Sequence, residues 1–187
     1  MTRLRLTIFL IILAIVFVCE GNSFAGSNAA NHALASSKER ANVVAKQLSK
    51  IVGFDIKVII IDDKTPEAYV YPDGTVVLTK GILDIVKTND ELAFLIGHEI
   101  AHTIHGNNQE TIFQIIGGHN LPEQVRHEIQ ADISGMLYAE KAGFNPFASV
   151  KLLAKMVKKD SLHSFDERFE AMSRFLSNKW DPYYWAE

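Results

Sequence analysis

Leu92-Ala93-Phe94-Leu95-Ile96-Gly97-His98-Glu99-Ile100-Ala101-His102-Thr103-Ile104 is the stretch on which the fold turns. A helix drawn through it is apolar nearly all round, so it is expected to be buried on most sides. Yet His98, Glu99 and His102 sit in its middle, and burying charged or unpaired polar groups costs several kcal/mol unless a partner compensates. A divalent cation compensates two imidazoles and a carboxylate at once. Residues four apart on a helix of 3.6 residues per turn differ by about 40° in direction and one turn in height. His98 and His102 therefore aim their nitrogens at one point. Glu99 points aside of it, where a carboxylate can polarise a bound water as general base.

His-Glu-x-x-His at residues 98–102 is the HExxH zincin motif, and a chance match on a core helix is the bland alternative. A catalytic zinc needs a third protein ligand and one open position. Glu128-Ile129-Gln130-Ala131-Asp132 places two further carboxylates four apart on one helix face. Glu128 is the natural third ligand, and Asp132 would accept the second N–H of a ligand histidine and fix its tautomer. The extended zincin motif would need Gly and then His downstream, where this chain has His105 and Asn108. His105 overshoots the metal and reads as structural; His32, His119 and His127 read as surface or loop residues. Cys19 is the only cysteine, so histidine and carboxylate must hold the metal.

Outward from this core, residues 28–52 read as an amphipathic helix ending at Gly53. The pattern then changes to short β-type runs, Ile56 to Ile61, Ala68 to Tyr71 and Thr75 to Thr79, with Pro72-Asp73-Gly74 as a tight turn between the last two. They predict a hairpin in a small antiparallel sheet. Thr88-Asn89-Asp90-Glu91 is a capping box for a helix expected to run to about His105 and stop at Gly106-Asn107. Pro122 fits the first turn of a second helix that runs to Ala142 and stops at Gly143. Asn145-Pro146 caps a third, and Ser164-Phe165-Asp166-Glu167 is the capping box of a fourth. The expected fold class is α+β: a mainly helical zincin domain with a small antiparallel β-sheet next to the active-site helix.

The paired motifs, His98-Glu-Ile-Ala-His102 and Glu128-x-x-Ala-Asp132, resemble those of the HtpX and CAAX-prenyl-protease family of zinc metallopeptidases, in its small soluble periplasmic branch. Val77-Leu78-Thr79-Lys80-Gly81-Ile82-Leu83 and Ala142-Gly143-Phe144-Asn145-Pro146 extend the resemblance over roughly residues 55–176. The resemblance implies one Zn2+ per chain on His98, His102 and Glu128, with Glu99 catalytic and Asp132 supporting a ligand. It also implies a role at the zinc for His163 and Arg168, as an inhibitory fourth ligand or as an oxyanion stabiliser. Ser164 stands where that family has a proline after the histidine, and Glu67 where it has Asn. The strand Thr75, Val76, Val77, Leu78 is expected to be an exposed edge that pairs with extended substrate.

Composition supports a foldable domain: 187 residues, 48% hydrophobic and 22% charged, are enough for one core. A formal net charge of -3 provides no basic field for phosphate backbones, so nucleic acid is not an expected partner. Arg3 and Arg5 before the apolar run Leu6 to Cys19, then Ser23-Phe24-Ala25, read as a signal peptide over 1–25 with the metallopeptidase domain at 26–187. A periplasmic or secreted protein is expected, a retained membrane anchor and lipid attachment at Cys19 being the other readings; the bulky Val18 before that cysteine speaks against the last. The function these signals support is a zinc metalloendopeptidase acting on exported, misfolded or unassembled proteins; the alternative is a latent zinc-binding, chaperone-like module. Partners are protein or peptide substrates and, through the resemblance, a membrane-associated complex. Trp180, Tyr183, Tyr184 and Trp185 form an aromatic tail expected to pack on the domain.

Overall fold

The computed structural model of the chain describes residues 34–104, 121–157 and 165–179. Arg40–Glu187 form one compact unit and Met1–Glu39 another, of which only residues 34–39 are described. Residues 1–25, where a signal peptide is expected, His105 to Asn120, His163, Ser164 and the aromatic tail lie outside the described residues.

Helix α1, residues 34–52, buries Ala41, Val44, Ala45 and Leu48, the i, i+3, i+4, i+7 stripe of an amphipathic helix. It stops at Gly53, whose φ of 87° suits a residue without Cβ. Three strands follow: β1 (Lys57–Ile61), β2 (Ala68–Val70) and β3 (Thr75–Thr79). The β2–β3 hairpin closes as the turn residues predict, with Gly74 N–H donating to the Tyr71 carbonyl at 2.9 Å and Thr75 N–H to Asp73 Oδ1 at 3.0 Å.

The sheet is mixed rather than antiparallel throughout. Its order is β1-β3-β2, with β1 parallel and β2 antiparallel to β3. β3 is thus the central strand and all five of its residues are buried. This corrects the expectation that Thr75, Val76, Val77 and Leu78 form an edge: Val76 pairs with both Val58 and Val70, and Leu78 with both Ile60 and Ala68. Such a strand has no free row of backbone groups to offer a substrate. Its unbroken apolar run, without polar alternation, belongs to a strand covered on both faces.

Among the described residues, five helices follow: α2 (Lys80–Leu83), α3 (Asn89–Ala101), α4 (Glu123–Lys141), α5 (Ala148–Val157) and α6 (Phe165–Lys179). The mainly helical content and the small sheet make the fold α+β. α3 buries Leu92 to Ile96 and Ile100 in the core, with α4 packed along it and α5 and α6 closing the bundle. It ends at Ala101, earlier than the expected His105. The chain tightens there into i→i+3 bonds, His102 N–H to Glu99 O at 3.2 Å and Thr103 N–H to Ile100 O at 3.0 Å, and the Thr103 hydroxyl competes for the Ile100 carbonyl at 2.8 Å. Pro122 is the residue before the first turn of α4, with extended ψ of 146°. α4 stops as predicted: Gly143, φ 88°, donates to Glu140 O, and Phe144 N–H reaches back to Ala139 O, the Schellman pattern.

The capping box of α3 is complete and does more than cap. Thr88 Oγ1 accepts from Glu91 N–H, while Glu91 Oε2 accepts from Lys87 N–H at 2.7 Å and Thr88 N–H at 3.4 Å. Glu91 Oε1 pairs with Lys155 of α5, so a carboxylate only 3% exposed ties two helices together. Burial alone would push its pKa up, but Lys155 and the backbone donors outweigh that and hold it below the usual glutamate value. A pKa lowered in the folded state adds stability above the unfolded value, and that stability is lost as pH falls through the folded one. Glu91→Gln should therefore unfold about 1–3 kcal/mol more easily at neutral pH. Denaturant titrations should show the gap between variant and wild type begin to close as pH falls below the ordinary glutamate value, about 4.3; an equal gap at pH 3 and pH 7 contradicts the account.

Candidate active site

α3 and α4 touch backbone to backbone, and this brings the site together. A Cβ built on Gly135 would lie 2.8 Å from His98 N and 3.1 Å from both His98 Cα and Phe94 O. One on Gly97 would lie 3.1 Å from Gly135 Cα and O. Glu128, Asp132 and Gly135 fall at i, i+4 and i+7 on α4, one face, so the glycine contact sets the height at which both carboxylates meet the histidines. The sequence reading missed these two glycines. A glycine inside a helix pattern is a weak sign of a close approach, and nothing local shows what lies opposite.

The predicted ligands converge. His98 Nε2 and His102 Nε2 stand 3.2 Å apart, Glu128 Oε2 is 3.6 Å from the former and Glu128 Oε1 3.7 Å from the latter. One ligand atom from each of the three residues lies within 4.8 Å of the others. A tetrahedral zinc with bonds of about 2.0–2.2 Å sets its ligand atoms roughly 3.3–3.6 Å apart, so this donor set fits the ion. Because the His98 ring is packed tight while the side chains of His102 and Glu128 keep 33% and 31% exposure, the cluster opens to solvent on one side. That side is where a water and a substrate could enter.

Behind the ligands lies a buried charge network. Asp132, fully buried, holds its Oδ1 2.9 Å from His98 Nδ1, off the line of a straight hydrogen bond. This contact favours the proton on Nδ1 and leaves the Nε2 lone pair for a metal. Arg168, from α6, donates through Nε to Asp132 Oδ2 and through Nη2 to Asp132 Oδ1, both at 2.7 Å, and its Nη1 lies 3.1 Å from Glu128 Oε2. Burial raises the Asp132 pKa, but the contacts with His98 and Arg168 outweigh it and keep the carboxyl below its ordinary range. Glu99 is held the other way: burial, the larger cause, and Glu128 push its pKa up against the opposing pull of His98 and Arg168. A carboxylate shifted upward is the better suited to exchange protons near neutrality.

His127 is exposed and 3.8 Å from Glu123 Oε1, a surface contact as expected. His163, His105, His119 and His32 lie outside the described residues.

An HExxH helix pressed against a second helix that carries a glutamate four residues before a buried aspartate offers the His-His-Glu donor set that zincin-type sites use. The sequence model described as Peptidase family M48 matches residues 29–122, half of the 187 residues, and the chain belongs to that family. Its curated relatives include mitochondrial metalloendopeptidase OMA1 of Schizosaccharomyces pombe, 30% identical over 52% of this chain and 36% of the relative. The protein of the same name from Saccharomyces cerevisiae is 25% identical over 58% of this chain and 39% of the relative, and that from Arabidopsis thaliana 23% identical over 65% and 30%. The chain thus spans well under half the length of these relatives. The family match ends before Glu128, Asp132 and Arg168.

Proposed function

We propose that this chain is a zinc metalloendopeptidase that hydrolyses peptide bonds of exported proteins, misfolded or unassembled ones in particular. The observation that carries the chemistry is the convergence of His98, His102 and Glu128 beside Glu99. Zinc held by these three would supply Lewis acidity to a water and to the scissile carbonyl. Glu99 would accept a proton from the attacking water and deliver it to the leaving amine. The relatives are metalloendopeptidases by name, which supports the reaction class, and the Arg3, Arg5, Leu6 to Ala25 pattern supports export. Among the described residues β2 pairs with β3 alone and lies beside α3. Its outer edge, at Ala68 and Val70, is thus the candidate to pair with an extended substrate.

The protein purified without chelator should carry one zinc per chain and cleave denatured casein. A strong zinc chelator should abolish cleavage, and stoichiometric Zn2+ should restore it. Absence of stoichiometric metal overturns the reading; bound zinc without cleavage of any unfolded protein favours the chaperone-like alternative.

A further inference from the structure

Arg168 is the point at which a helix that provides none of these three ligands reaches the ligand set. The residue is only 9% exposed, and its guanidinium, 5.6 Å from the Phe165 ring centroid, contacts two carboxylates at once. One is Asp132, which orients His98, and the other is Glu128, the candidate ligand itself. We propose that Arg168 is the positioning residue of the site, fixing Glu128 directly and His98 through Asp132, so that metal affinity depends on α6 being seated on α4. This rests on the zinc reading above.

Two physical effects of Arg168 on a bound cation oppose each other. As a positive charge 3.1 Å from Glu128 Oε2, it repels a divalent ion and drains charge from its ligand. As a planar fork with donors in fixed directions, it holds side chains that would otherwise sample several rotamers, Glu128 above all, whose side chain is 31% exposed. The geometry points to the second effect as the larger. Two 2.7 Å bonds from one guanidinium to one carboxylate leave Asp132 a single orientation. Its Oδ1 is the atom facing His98 Nδ1.

The two effects make opposite predictions for zinc binding, measured by competition with a chromophoric chelator on the full chain. Arg168→Lys keeps the charge and loses the fork; Arg168→Met loses both. Positioning predicts that zinc Kd rises about 10- to 100-fold in each, the range found when groups supporting metal ligands are removed. A charge effect alone predicts no change in Arg168→Lys and tighter binding in Arg168→Met. Should Arg168→Met fail to fold because Asp132 is left buried and unpaired, Asp132→Asn/Arg168→Gln removes both charges, and its zinc Kd should rise by at least as much. The visible spectrum of the Co2+-loaded protein gives a readout apart from activity and should differ from wild type in each variant. Unchanged or tighter zinc in the folded Lys variant, with an unchanged cobalt spectrum, overturns the inference while leaving the zinc site intact. A wild type that binds no zinc overturns the zinc reading instead.

Discussion

Glu99→Gln is expected to retain its full complement of zinc while losing peptide-bond cleavage by about 10²- to 10⁴-fold in kcat, the usual contribution of a positioned general acid–base group. The two halves of this result have separate causes. Zinc should stay because Glu99 is not among the three converging donors and points about 100° round the helix from His98. Cleavage should go because an amide has no basic oxygen for the water's proton. Stability gives a third readout. Burial pushes the Glu99 carboxyl up, so its ionised form is disfavoured in the folded state and a neutral isostere relieves that cost. With the metal removed, the variant should melt at or above the metal-free wild-type Tm. Metal analysis, steady-state cleavage of an unfolded protein and thermal unfolding together check the claim; cleavage within tenfold of wild type removes Glu99 from the role of base.

That Glu99 and its neighbours could be named from the chain alone has a physical basis. His98 with His102, and Glu128 with Asp132, are pairs four apart, and helical periodicity turns such spacing directly into a shared face. Caps are equally local: Thr88 with Glu91, and Gly143 after α4, involve partners within a few residues, and both occur as read. What was not legible depends on which distant segments meet. The parallel pairing of Lys57–Ile61 with Thr75–Thr79 is decided by the path of the chain between them, although the lack of polar alternation in Thr75 to Thr79 was a sign of a central strand. Arg168 stands out in the sequence only through the family resemblance, because its two carboxylate partners lie on α4 and not in its own surroundings. The early end of α3 at Ala101 came from Thr103, whose hydroxyl competes for the Ile100 carbonyl.

Gly135→Ala is the second change with a large expected effect, and here two effects of known sign compete. Helix propensity alone favours alanine in a helix interior by about 1 kcal/mol. Sterics oppose it, because the new methyl would meet His98 N at 2.8 Å and His98 Cα and Phe94 O at 3.1 Å, all backbone or backbone-attached atoms of α3 that cannot swing aside as a side chain would. Overpacking of a close-packed core costs about 1–3 kcal/mol, and the upper part of that range applies where the obstructing atoms are backbone. The expected net change is a loss of about 1–2 kcal/mol, the steric cost less the propensity gain. The functional loss should be larger than the stability loss. To fit the methyl, α4 must move off α3 by some tenths of an ångström at the level of His98, which lengthens the 3.6 and 3.7 Å separations between Glu128 and the two histidines. Zinc affinity should then fall by tenfold or more. Gly97→Ala, whose methyl would meet Gly135 Cα and O no closer than 3.1 Å, should show the same defects to a smaller degree. Denaturant unfolding and zinc competition on both variants decide the matter: if Gly135→Ala proves more stable than wild type with zinc affinity intact, propensity has won, and the backbone contact between α3 and α4 is not what sets the spacing of the ligands.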